Sequence, residues 1–92
     1  MDVSPLWSSK VPRPKKPLPP PIDWKAVGRR LRELRGYDLT QAEFAEQIGV
    51  SQGYLSSAER GQREIGPEVL LRISYVWDKS IEWLLTGKTP NK

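Results

Sequence analysis

The 92-residue chain contains no cysteine and no histidine. Without cysteine there is neither a disulfide framework nor a thiol nucleophile, which fits a reducing compartment. Without histidine the commonest metal ligand and general base are missing. We therefore expect no metal site and no cofactor. We also expect no enzymatic activity, because acid–base chemistry needs titratable groups that converge in a pocket, and Asp38, Glu43 and Glu46 are interpreted as a solvated acidic face.

Long apolar runs are missing as well. No segment is long enough to span a membrane, and the N-terminus lacks the apolar core of a signal peptide. The length fits one small domain with a thin core, and we expect it in the cytoplasm. Positive charge is concentrated in one segment: the formal net charge is +4, of which +3 falls in residues 1–22 and +1 in residues 23–92. The basic balance therefore argues only weakly for a nucleic acid partner.

The N-terminal segment differs in composition from the rest of the chain. Its sequence PLWSSKVPRPKKPLPPP is rich in proline, which lacks a backbone donor and excludes helix and sheet. We predict a disordered or polyproline-like tail over residues 1–21, a domain over residues 22–88 and a frayed C-terminus over residues 89–92.

Three interpretations of the tail stay open. It is a solvated leader, a ligand of the P-x-x-P type (KPLPPP) for a partner protein, or an arm that contacts DNA. The basic residues of such an arm are Arg13, Lys15 and Lys16.

Apolar residues after the tail recur at helical spacing, and no strand pattern appears. Asp23 predicts the start of a first helix that ends near Gly36. Thr40 and Glu43 form a T-x-x-E capping box at the start of a second helix. Gly49 is suited to the left-handed conformation that ends this helix.

The remaining sequence predicts three further helices. Ser51 caps the third, Pro67 begins the fourth and Ser80 caps the fifth. The buried stripe of the fourth helix is predicted to be Val69, Leu70, Ile73, Val76 and Trp77. The prediction is an all-α domain of five helices.

The stretch QAEFAEQIGVSQGYLSSAERG, residues 41–61, predicts two short helices crossed at a steep angle. The small Ala45 permits close crossing, and Gly49 permits a turn within three residues. Counted from Gln41, apolar residues stand at places 4, 8, 10, 15 and 18, which are Phe44, Ile48, Val50, Leu55 and Ala58.

Two stretches match the pattern of a known family: LTQAEFAEQIGVSQGYLSSAERG and SIEWLLTG. The chain resembles the Cro and phage-repressor type (XRE) helix-turn-helix family over residues 24–88. The resemblance implies a repressor-like five-helix fold with a helix-turn-helix. It also implies a bacterial or phage-encoded, nucleoid-associated protein that binds double-stranded DNA. The third helix, predicted over residues 51–60, would lie in the major groove.

Gln52 is the first candidate for base reading, because a glutamine amide can bond adenine at two points; the resemblance implies the same role. Ser56 and Ser57 can bond several bases and so specify weakly. Gly53 departs from the family, which often has a longer polar side chain there. Either the missing side chain weakens sequence specificity, or it lets the backbone approach the groove closely.

A second set of residues is predicted to contact phosphates. Gln41 begins the second helix, where its amide and free backbone donors can hold a phosphate oxygen. Tyr54 either touches a phosphate with its hydroxyl or covers the turn. The complete set is Gln41, Ser51, Tyr54, Arg60, Gln62 and Arg63.

The resemblance implies two further features. An arginine that ends the first helix, Arg35, would pair with a glutamate that ends the third, Glu59, in a structural ion pair. The last helix would form a dimer contact, although Lys79 stands where the family usually has an apolar residue. The candidate contact residues are Trp77, Ile81, Trp83 and Leu84.

The leading prediction is a transcriptional regulator that represses by occluding an operator as a homodimer on DNA. The alternative is a protein-interaction module that uses the helical scaffold and the proline-rich tail.

Overall fold

The structure is a computed structural model that describes residues 18–89. These residues form five helices and no strand: α1 (Trp24–Arg35), α2 (Gln41–Ile48), α3 (Gln52–Glu59), α4 (Pro67–Trp77) and α5 (Ile81–Thr86). The predicted all-α, five-helix fold is thus confirmed for this part of the chain. Most of the predicted tail lies outside the described residues, and so do residues 90–92.

Side-chain caps fix where the helices begin. The Asp23 carboxylate accepts hydrogen bonds from two backbone N–H groups in the first turn of α1, at 3.1 and 3.2 Å. At α2, the Thr40 hydroxyl accepts from the Glu43 N–H at 3.1 Å, and the Glu43 carboxylate accepts from the Thr40 N–H at 2.9 Å. The hydroxyls of Ser51 and Ser80 cap α3 and α5. All four predicted caps are therefore confirmed, and each satisfies backbone donors that the helix leaves free.

One apolar core joins the five helices. Its largest fully buried side chains include Leu31, Phe44, Ile48, Leu55 and Ile73, which come from α1 to α4. The ring of Phe44 stacks on that of Trp77, with centroids 4.3 Å apart and planes inclined by 16°. A small domain depends on a few such contacts for most of its stability.

One prediction about α4 is wrong. Val76 is 48% exposed, although the sequence pattern placed it in the buried stripe. Leu70, Ile73 and Trp77 follow one another at intervals of three and four residues and define the inward face of the helix. Val76 lies to one side of that face, and Tyr75 beside it is also exposed.

The turn between α2 and α3 is held by backbone and side-chain hydrogen bonds. Gly49 adopts the predicted left-handed conformation, with φ 73° and ψ 34°. The N–H of Val50 donates to the Ala45 carbonyl at 2.9 Å. The guanidinium of Arg72, from α4, donates to the carbonyls of Ile48 and Gly49 at 3.3 and 3.4 Å. These bonds fix the angle between the two helices.

Candidate nucleic-acid interface

The helix α3 has an inner face that is packed and an outer face that is open. Leu55, Ala58 and Glu59 are buried on the inner face. Gln52 and Gly53 are exposed on the outer face. The helix is thus fixed to the domain on one side while its other side is free to contact a partner.

A glycine in α1 lets α3 approach closely. A Cβ atom added at Gly28 would lie 2.4 Å from the Glu59 carbonyl oxygen and 2.6 Å from that of Ala58. No side chain fits at such distances from backbone atoms. A similar approach joins the end of α3 to the start of α1, because a Cβ at Gly61 would lie 2.6 Å from the Lys25 Cα.

The sequence interpretation did not single out Gly28. An isolated glycine inside an amphipathic helix is the signal that points to such an approach.

The end of α3 is held by a buried carboxylate. Glu59 is 2% exposed, and its two oxygens accept hydrogen bonds from the Arg35 guanidinium at 2.8 and 2.9 Å. Arg35 also donates to the Leu39 carbonyl at 3.2 Å. The hydrogen bond to Glu59 raises the pKa of Arg35 above its usual value, against the lowering effect of burial. The structure therefore pairs the two residues, and the pair links α1 to α3.

Gln41 joins this arrangement from the start of α2. Its amide nitrogen donates to the second Glu59 oxygen, Oε1, at 2.9 Å. An amide nitrogen carries two hydrogens, so one remains to donate elsewhere. The network thus orients the side chain that the sequence assigned to phosphate binding.

The candidate base-reading residues lie together on the outer side of α3. Gln52 is exposed, while Ser56 and Ser57 are half-buried. The Ser56 hydroxyl accepts a hydrogen bond from the Arg60 guanidinium. Gly53 is surrounded by open space, since an added Cβ would meet only the Ser51 hydroxyl oxygen at 4.0 Å.

Apart from Gln41 at the start of α2, the candidate phosphate-binding residues lie near the two ends of α3 and in the loop after it. Arg60 donates to the Gln62 side-chain oxygen at 3.2 Å. The guanidinium of Arg63 lies 3.9 Å above the centroid of the Tyr54 ring. The Tyr54 hydroxyl oxygen accepts from the Gly66 N–H at 3.3 Å. Tyr54 therefore packs against the loop, while its hydroxyl proton is still able to donate.

The apolar residues near the C-terminus divide between core and surface. Leu84 is fully buried, so the proposal of a dimer contact through its side chain is wrong: the side chain is part of the core. Trp77 is half-buried and stacks on Phe44. Ile81 and Trp83 are half-buried and stay available for contact.

Three other sequence predictions concern the tail, membranes and metals. Arg13, Lys15 and Lys16 lie outside the described residues. None of the helices in the described range is both long and apolar enough to cross a bilayer. Within residues 18–89 there is also no group of three or more side chains suited to hold a metal ion.

Comparison with known proteins agrees with this geometry. The model of the helix-turn-helix family matches residues 29–84. This chain belongs to the helix-turn-helix family. Over 66 residues, this chain is 39% identical to the transcriptional regulator SinR of Bacillus licheniformis. The matched region covers 67% of this chain and 58% of SinR. This chain spans about half the length of the curated relatives it matches.

Two solved structures share the fold of this helix-turn-helix protein. The restriction-modification controller protein C.AhdI from Aeromonas hydrophila has a TM-score of 0.61 and 33% identity, covering 68% of this chain and 97% of C.AhdI. The P22 c2 repressor, crystallised with a synthetic operator, has a TM-score of 0.63 and 33% identity, covering 67% of this chain and 96% of the repressor.

Proposed function

We propose that this helix-turn-helix protein regulates transcription by binding double-stranded DNA with α3 in the major groove. The observation that carries the proposal is the division of α3 into a packed inner face and an open outer face bearing Gln52. A major groove about 12 Å wide admits an α-helix. A helix held rigidly by Glu59 and Leu55 presents its outer side chains to base edges in a fixed orientation.

The individual roles follow from where the side chains lie. Gln52 reads an adenine through its side-chain amide, because the residue is exposed on the outer face of α3 and an amide can bond adenine at two points. Gln41 gives its second amide hydrogen to a phosphate oxygen while Glu59 holds the first. Arg60 and Arg63 neutralise neighbouring phosphates, which releases counterions and makes binding sensitive to salt.

Ser51, Tyr54 and Gln62 complete the proposed set of phosphate contacts. Ser51 is exposed just before α3, Tyr54 is half-buried in its first turn, and Gln62 is exposed in the loop that follows the helix. Hydroxyl and amide groups of this kind position a protein on the duplex without reading its sequence.

The curated relatives support regulation of transcription, and one solved structure supports repression. SinR carries the name of a transcriptional regulator, and the P22 c2 repressor was crystallised with an operator. We therefore propose that this chain occludes an operator, acts on the nucleoid, and binds as a homodimer. Two copies of α3 would then lie about 34 Å apart and read a pseudo-palindrome. The surface proposed to join the two copies comprises Ile81 and Trp83.

Selection of bound sequences from a random duplex library tests this function. The proposal expects one preferred, nearly symmetric site, bound with an affinity that falls steeply as salt rises in fluorescence anisotropy. A pool without enrichment, together with no measurable binding at low salt, would contradict it.

One observation favours a second candidate, a protein-interaction module. Leu71, Tyr75 and Val76 form an exposed apolar surface on α4, on the side away from the core. The same DNA titration separates the two candidates, because an interaction module would leave duplex DNA unbound even at low salt.

A further inference from the structure

The fold explains five of the seven glycines in this chain. Gly28 is required by the close crossing of α1 and α3. Four others have φ between 64° and 79°, a conformation that favours glycine; they are Gly36, Gly49, Gly61 and Gly87. Neither explanation applies to Gly53 or Gly66.

Gly53 is the second residue of α3 and is exposed on its outer face. Its φ is not positive, and a Cβ would meet nothing closer than 4.0 Å. Alanine would therefore fit the fold, and it is the better helix former of the two residues. The absence of a side chain at this position has no cause within the described domain.

The residues beside Gly53 on the helix surface are also short. Ser56 and Ser57 follow three and four residues later and so lie on the same side of α3. Together the three residues form a shallow strip, which has Gln52 at one edge. At its far end the Arg60 side chain turns back toward Ser56 and Gln62.

A serine hydroxyl reaches only a short distance from the helix. Its hydrogen bonds span about 2.7–3.0 Å between heavy atoms, so a base edge can be read only if the helix backbone comes close. A side chain at position 53 would hold this turn of α3 away from the groove floor, whereas glycine removes the obstacle.

We infer that Gly53 is a steric specificity determinant: its missing side chain lets α3 approach the base edges closely enough for Ser56, Ser57 and Gln52 to reach them. This inference rests on the proposed DNA-binding function. It also decides between the two consequences of Gly53 that the sequence left open, in favour of close approach.

The test compares the wild type with Gly53→Ala and Gly53→Gln in the full chain. The probes are a duplex selected by the wild type from a random library and an unselected random duplex of equal length. Gly53→Ala should weaken binding to the selected duplex about tenfold, and Gly53→Gln more, while random-duplex affinity stays within about twofold. Both variants should melt a few degrees higher, because each residue is a better helix former than glycine.

Gly66→Ala is the matched control. Gly66 is the other glycine that the fold does not require, and this variant adds the same methyl group there. The position lies at the start of α4, outside the shallow strip. Both of its affinities should equal those of the wild type.

Selected-duplex binding by Gly53→Ala within about twofold of the wild type would overturn the inference. In that case the proposed function still stands. Failure of the wild type to bind either duplex would instead remove the proposed function, and the inference with it.

Discussion

The two faces of α3 differ in whether the packing of the fold determines which residues stand there. On the inner face, Leu55 and Ala58 fill the core and Glu59 is enclosed by hydrogen bonds. On the outer face, Gln52 and Gly53 meet solvent, and the fold places no demand on either. Substitutions on the inner side should therefore change stability, and substitutions on the outer side should change DNA affinity. Substitutions at four positions, with matched controls, test this separation.

Gly28→Ala should have the largest effect. Its Cβ would lie 2.4 Å from the Glu59 carbonyl oxygen, so α1 and α3 must move apart. We expect a loss of about 3 kcal/mol or more in the free energy of unfolding, because the obstacle is backbone, read as a lower melting temperature by circular dichroism. The same substitution on the outer face, Gly53→Ala, should raise the melting temperature. Equal melting temperatures for Gly28→Ala and the wild type would refute the close packing of the two helices.

Arg35→Ala should come next. It removes both guanidinium hydrogen bonds from a carboxylate that is 2% exposed. The expected loss in the free energy of unfolding is about 2 kcal/mol, which is below the usual cost of a stranded buried charge, because the Arg35 side chain is 20% exposed and Gln41 still donates to Glu59.

The control for Arg35→Ala is Arg32→Ala, which removes an exposed arginine from the same helix. It should change the free energy of unfolding by no more than about 0.5 kcal/mol. If chemical denaturation finds the two variants equally stable, the ion pair does not anchor α3.

Gln52→Ala should leave stability unchanged and alter DNA reading. Loss of its amide should weaken binding to the selected duplex by about 1–3 kcal/mol, while binding to random DNA is hardly affected. Gln47→Ala, at another exposed glutamine, is the control and should alter neither affinity. Equal weakening of both duplexes by Gln52→Ala would make this residue a positioning contact and not a reader of sequence.

Arg63→Ala should give the smallest effect. The loss of one phosphate contact should weaken all duplexes alike and reduce the slope of log affinity against log salt by about 1. Lys88→Ala removes the same charge beyond α5 and serves as the control. An unchanged slope in anisotropy titrations of Arg63→Ala would remove this residue from the interface.

Much of the fold could be predicted from the sequence because its signals are local. The caps at Asp23, Thr40 and Ser80 and the left-handed turn at Gly49 each depend on a few neighbouring residues. Helical spacing likewise identified most of the core. The spacing wrongly assigned Val76 to the buried stripe, because it locates the edge of such a stripe only to within about one residue.

Features that join distant segments could not be predicted in the same way. The need for glycine at position 28 arises from the α3 backbone, about thirty residues later. The bond from Gln41 to Glu59 depends on how α2 and α3 cross. Leu84 illustrates a related problem, because an apolar cluster in sequence does not show which members face the core and which face a partner.

The proposed function requires the outer face of α3 to enter the major groove of a duplex. An NMR titration of the isotope-labelled protein with the selected duplex, followed at the backbone amides, locates this contact. We expect the largest shift changes at Gln41 and over residues 51–63, and smaller changes at Ile81 and Trp83, where two copies on the duplex would meet. Changes confined to α4 and α5, with α3 unaffected, would contradict it.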